Sequence, residues 1–240
     1  MKKLQFLLLG FLAFVMVSCE DSSGKFAAKQ LTYTQMENAF SDCLSVSTTM
    51  AVECLCPEDE LDYVLGYGFY EYENQVYRIT MPNTARAIVD SLTAHGKGAL
   101  IDTMVLHINR AAEASGSAIG SAFSAARSSL TYTSHQTLVS TSNTTALTSY
   151  FKTQCYSQIH QSLLTPVQMK LSEKGVQDEW NNILMEYYTY NPQPVSIDIY
   201  AHIVDKMMEG VFTEMGKMEE LIRTDPTWRV TDNLQLVFGN

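Results

Sequence analysis

SIDIYAHIVDKMMEGVFTEMGKMEELIR, residues 196–223, decides the fold. Ile203, Met207, Val211, Phe212, Met215 and Met218 return at three- and four-residue spacing, with acids, lysines and threonine between them. That period belongs to an amphipathic helix, and 28 residues at 1.5 Å each span about 40 Å. Thioethers set among branched apolar side chains at this spacing read as core filler. Asn191-Pro192-Gln193-Pro194 is a linker before the helix, and Asp225 is placed to cap a final turn that starts at Pro226.

Upstream, helix follows helix. Thr34-x-x-Glu37 reads as a capping box opening a helix over 34–54, and Pro57 with three acids behind it opens a shorter one that Gly66 and Gly68 stop. Phe69, Tyr70, Tyr72, Val76, Tyr77 and Ile79 are strand formers around Glu73-Asn74, so a small hairpin or extended arm is expected over 69–81. Asn83 caps a helix to Gly96, and a long one follows from Ala99 into the 120s. Residues 131–143 are rich in Ser and Thr and read as a loop with one helical turn. Asn143 caps the next helix, Pro166 kinks or restarts it, and residues 176–190 form another. The fold class is mainly α, a single-domain helical bundle over 31–240.

Ala112, Gly116, Gly120 and Ser124 recur every four residues. So small a face admits a close neighbour, which points to a helix threading the centre of the bundle; a ligand-holding groove is the alternative.

The N-terminus reads as an address. Met1-Lys2-Lys3, a largely apolar run over 4–17 and the Ser18-Cys19 junction make a secretory signal over 1–18 whose end resembles a bacterial lipobox, with Met16 where Leu is most usual. Cys19 is then the lipidation site, and residues 19–30 a polar, flexible tether. The chain counts 16 Lys and Arg against 26 Asp and Glu, net −10; without the signal, 222 residues carry −12. Such a domain repels nucleic acid and anionic lipid, so its membrane partner is reached through acyl chains on Cys19. The localisation expected is the bacterial cell envelope, at the outer membrane, and acid directly after Cys19 allows surface display.

Cys43, Cys54, Cys56 and Cys155 remain, enough for up to two disulfides in an oxidising compartment. Cys54 and Cys56 are too close for an easy mutual bridge. A metal site is less well supported, since no CxxC pair exists and no His lies near Cys54. No GxSxG elbow, HExxH, phosphate loop or dinucleotide fingerprint occurs, and no cofactor is implied. Asp198, His202 and Asp205 share one helix face and could serve as an acid–base pair or metal ligands, or simply as a solvated surface.

Two stretches are more specific: HINRAAEA at 107–114, and IRTDPTWRVTD at 222–232 with LVFG at 236–239. With Gly210-Val211-Phe212, Tyr150-Phe151 and Met81-Pro82 they resemble a family of bacterial envelope proteins known only as domain of unknown function 4197. The resemblance runs from about Leu31 to Gly239. It implies a helical, often lipidated protein and no activity. Where relatives often carry a Gly-Gly-Asp-type turn, this chain has Ser142-Asn143-Thr144.

The charges inside those motifs make a candidate polar cluster: Asn109, Arg110, Glu113, Arg223, Asp225 and Arg229. Glu219 and Arg223 pair four apart, Arg110 and Glu113 three apart, and Asp225 and Arg229 could complete them. Such a cluster either fixes the register of the C-terminal helix or forms a polar site with Glu113 as acid or base. The expected role is non-catalytic binding of a protein or small-molecule partner. The alternative is an envelope hydrolase using Glu113 or the Asp198/His202 pair.

Overall fold

The computed structural model describes residues 31–57, 68–70, 76–140 and 142–239. The signal, Cys19, the tether, the helix expected after Pro57 and the Glu73-Asn74 turn lie outside those residues.

Among the described residues the chain is helical and forms no strand. The helices are α1 Tyr33–Leu55, α2 Arg86–Ala94, α3 Gly98–Glu113, α4 Gly116–Ser128, α5 His135–Ser140, α6 Ala146–Glu173, α7 Val176–Tyr190, α8 Ile199–Thr224 and α9 Asp232–Phe238. Single turns of 3-10 helix at Asn83–Ala85 and Pro226–Trp228 precede α2 and follow α8.

The centre of the bundle is α8, not the small-residue helix. It packs most extensively on α1 and next on α6. Its buried face includes Ile203, Met207, Val211, Met215 and Ile222, all at or near zero exposure. Bulky side chains on a wide face remove more apolar area from water than a stripe of Gly, Ala and Ser, at about 25 cal/mol per Å². α8 therefore takes the middle, and at 26 residues it is shorter than the 28-residue α6. α6 continues through Pro166, because Leu163 and Val167 are buried on either side of the one lost hydrogen bond.

Local signals placed the ends. The capping box that forms is Thr32 with Gln35, two residues before the pair expected: Gln35 N–H donates to Thr32 Oγ1 at 3.2 Å and Thr32 N–H to Gln35 Oε1 at 2.9 Å. Glu37 instead meets His135 Nε2 at 2.7 Å. Gly175, at φ +76°, makes the turn between α6 and α7, a conformation that side chains rarely adopt. Asp225 accepts from Thr227 N–H and starts the last 3-10 turn.

The long helix expected from Ala99 breaks at Ala114-Ser115 into α3 and α4. The break brings α4 onto α1 at Gly116, where an added Cβ would stand 2.8 Å from Cys56 Cβ; at Gly120 it would meet nothing within 4 Å. The two glycines therefore separate in a melting experiment. Gly116→Ala should destabilise by about 1–3 kcal/mol through overpacking. Gly120→Ala should be neutral or stabilising by up to about 1 kcal/mol, because helix propensity improves and nothing clashes.

Candidate functional site

The arm that precedes α2 has no partner strand among the described residues and begins them in a turn at Val76 and a bend at Tyr77, yet burial alternates along it. Tyr77 and Ile79 are buried, Arg78 is half-buried, and Val76 and Thr80 are exposed. Asn109, on α3 and at zero exposure, supplies what a neighbouring strand would. Its Oδ1 accepts from Ile79 N–H and its Nδ2 donates to the Ile79 carbonyl, both at 2.8 Å. Nδ2 also reaches the Val105 carbonyl at 2.7 Å. One amide thus satisfies both backbone groups of a buried residue. Phe69, at the start of the arm, is buried beside Gly210 of α8, where an added Cβ would stand 3.1 Å from its ring.

Glu113 continues the same staple. Its side chain is 1% exposed. Oε1 accepts from Tyr70 N–H at 3.0 Å and Oε2 from Arg110 Nη1 at 2.8 Å. The Arg110 and Arg78 guanidiniums lie 5.7 and 4.1 Å from the centre of the Tyr70 ring.

The other members of the candidate cluster do not join this group. Glu219, at zero exposure, accepts from Leu147 N–H at 2.9 Å and Thr148 N–H at 2.7 Å, which are first-turn amides of α6. Arg223 donates to Glu219 at 2.8 Å and to the Leu138 and Val139 carbonyls at the end of α5. Arg229 caps the end of α8 through the Ile222 and Arg223 carbonyls, both at 2.9 Å. Asp225 accepts from Thr227. The pairing of Arg110 and Glu113 with Asp225 and Arg229 is therefore not made, because the C-terminal charges are taken up by nearer backbone groups.

The Asp198, His202 and Asp205 face is divided as well. Asp198 caps α8 through Ala201 N–H, His202 Nε2 meets the Thr80 carbonyl at 2.8 Å, and Asp205 accepts from Tyr156 at 2.7 Å. Different neighbours claim each residue of one helix face. Among the described residues no three His, Cys, Asp or Glu gather as metal ligands.

The sequence allows disulfides or simple buried thiols, and the structure holds no bridge among the four described cysteines, Cys43, Cys54, Cys56 and Cys155. Cys56 and Cys155 instead face the Ala112 and Ala126 carbonyls at 3.8 Å. Burial pushes the Cys43 and Cys56 thiols well up, and Glu219 and Glu113 respectively push further. Such thiols are poor nucleophiles. Lys217 is unsuited in the opposite way. Burial works against its charge, but hydrogen bonds to Glu214 and Tyr77 outweigh it and hold the ammonium above its ordinary pKa.

Two hollows flank the C-terminal half of α1. The first, about 640 Å³, runs between α1 and α4. Gly116, Gly120 and Ser124 form part of its α4 wall, Thr48, Thr49 and Val52 part of its α1 wall, and Glu113 stands at its edge. The small-residue stripe is thus the wall of a groove. Arg127 also lines it, donating to the Ser41 carbonyl at 3.1 Å. The second, about 530 Å³, lies between α1 and α8 and is more apolar, with Met50, Met218 and Leu221 beside Glu214 and Lys217. Glu53 borders both.

The hydroxyl-lined groove was half-legible, since the four-residue spacing marks its α4 wall. The Asn109–Ile79 and Glu219–α6 contacts were not, because they join segments 30 and about 70 residues apart. No helix among the described residues is long and apolar enough to cross a membrane. A family model described as "Protein of unknown function (DUF4197)" matches residues 30–239. No curated protein matches the chain, and no solved structure does.

Proposed function

The chain belongs to the DUF4197 family, and from that premise we propose that it is a lipid-anchored helical binding protein of the bacterial envelope, rather than an envelope hydrolase. The anchor is Cys19, behind a lipobox-like signal, and the membrane is the outer one. The partner, a protein segment or small molecule, sits in the groove between α1 and α4.

One observation carries the reading. The groove has room for a ligand, about 640 Å³, while Glu113, the buried carboxylate at its edge, is already engaged by Tyr70 N–H and Arg110. A general acid or base must be within reach of a substrate proton and not already committed to other partners. A carboxylate held by a backbone amide and a guanidinium is better suited to holding the arm in place. The raised thiols of Cys43 and Cys56 and the firmly charged Lys217 also favour binding over covalent chemistry.

The experiment is purification of the native protein from membranes in detergent, with mass analysis of co-eluting molecules. Ser117→Trp, on the exposed groove lip, should remove the co-eluting species while leaving the melting temperature unchanged. Mass analysis of the intact protein should find residues 1–18 removed and acyl mass on Cys19, which Cys19→Ser should abolish, and protease shaving of intact cells should reveal surface display. A Ser117→Trp protein that keeps its co-eluting molecule contradicts the groove, and a mature protein with no acyl mass on Cys19 contradicts the anchor.

A further inference from the structure

The chain is rich in acid, and among the described residues seven of the twelve lysines and arginines pair with a carboxylate. Arg86 pairs with Asp90, Arg110 with Glu113, Lys217 with Glu214 and Arg223 with Glu219. Arg78 differs. No carboxylate pairs with it among the described residues. Its Nε–H is buried with no acceptor. The guanidinium rests on the Tyr70 ring at 4.1 Å. A buried donor left unsatisfied carries a penalty comparable to a lost hydrogen bond, so its persistence needs an explanation.

Its position is also fixed. On one side Tyr77 is buried; on the other Ile79 is clamped by Asn109, and the Thr80 carbonyl by His202. The arm therefore presents Arg78 in a set place before any ligand arrives, which spares ordering entropy on binding.

Arg78 borders a cleft of about 380 Å³ between the arm, α2 and α3. Met81, Pro82, Val89, Ile101 and Val105 give it an apolar wall. Its other charges are Arg86, already 3.4 Å from Asp90, and the exposed Asp102. One unpaired guanidinium beside an apolar wall suits an anion with an apolar body, and two aspartates nearby disfavour a second negative charge. We infer that this cleft is a binding site for small monocarboxylates with an apolar body, held through the Arg78 guanidinium. The site is separate from the groove between α1 and α4 and does not depend on it.

The test uses the full-length protein in detergent with nitrogen-15 arginine, titrated with 4-methylpentanoate, 4-methylpentanamide and 3-methylbutyl phosphate. The carboxylate should shift the Arg78 Nε–H resonance and saturate, and the neutral amide should not. Arg78→Gln, with helical circular dichroism unchanged, should weaken carboxylate binding by about tenfold or more, since a charged hydrogen bond is lost. If Arg78→Gln does not fold, Val89→Trp, which narrows the cleft and keeps the guanidinium, should weaken binding in the same way. An unmoved Arg78 resonance, or an amide that shifts it equally, overturns the site and leaves Arg78 held by the Tyr70 face alone. A phosphate ester that binds more tightly than the carboxylate overturns the ligand class.

Discussion

Glu219→Ala lowers the stability of the domain by about 3–5 kcal/mol, the usual consequence of leaving the partner of a buried charge pair uncompensated. For a domain of this size that corresponds to a fall in melting temperature of about 10 °C. Thr145, the residue before α6, makes no side-chain cap, so the helix relies on α8 for its first-turn acceptors. Both carboxylate oxygens of Glu219 are used, on the Leu147 and Thr148 amides, with Arg223 sharing Oε1. Arg223 then reaches the last carbonyls of α5 and lies 4.7 Å from the centre of the Phe238 ring of α9. Alanine removes the acceptors at zero exposure and strands an 8%-exposed guanidinium. Glu219→Gln should lose less, because its amide oxygen still accepts one backbone hydrogen bond. Thermal unfolding followed by circular dichroism measures both, and a loss under about 1 kcal/mol for alanine would show that water replaces the carboxylate at little cost.

That pair illustrates what a sequence carries and what it withholds. The i,i+4 order of Glu219 and Arg223 announces a helical ion pair, and the pair exists. What the spacing cannot announce is that the same carboxylate caps another helix about 70 residues away. Helix α7 could be read to its bounds, since Gly175 and the Asn191-Pro192 linker punctuate both ends. The start of α1 was two residues off because Thr32-x-x-Gln35 and Thr34-x-x-Glu37 both satisfy a capping box, and only the fold chooses between them. Helix α9, seven residues behind a Thr231 cap, is too short for its period to stand out.

The break between α3 and α4 has a similar origin. Ala114, Ser115 and Gly116 have small side chains that leave the backbone undecided, and the packing of Gly116 on Cys56 settles it. The extended arm was visible as strand-forming residues. Its partner was not, because an asparagine side chain on a helix stands where a strand was expected. The family motif around residues 107–114 thus contains two residues, Asn109 and Glu113, that fasten the arm to the bundle. The same arm carries Arg78 and borders its cleft, so fastening it serves recognition as well as stability.

Glu113 is where architecture and catalysis make opposite demands on one residue. If its carboxylate holds the arm, Glu113→Gln keeps one acceptor for Tyr70 N–H but turns an amide toward Arg110, losing a charge-assisted hydrogen bond in a nearly water-free place. The expected loss is about 1–3 kcal/mol, a fall of about 3–10 °C in melting temperature at this domain size. The decisive measurement is therefore the melting temperature of the Glu113→Gln protein beside the unsubstituted one. A clear fall supports a carboxylate committed to the scaffold of a binding protein. An unchanged melting temperature, with binding or a cellular phenotype lost, would make Glu113 a working group of the site and contradict the account.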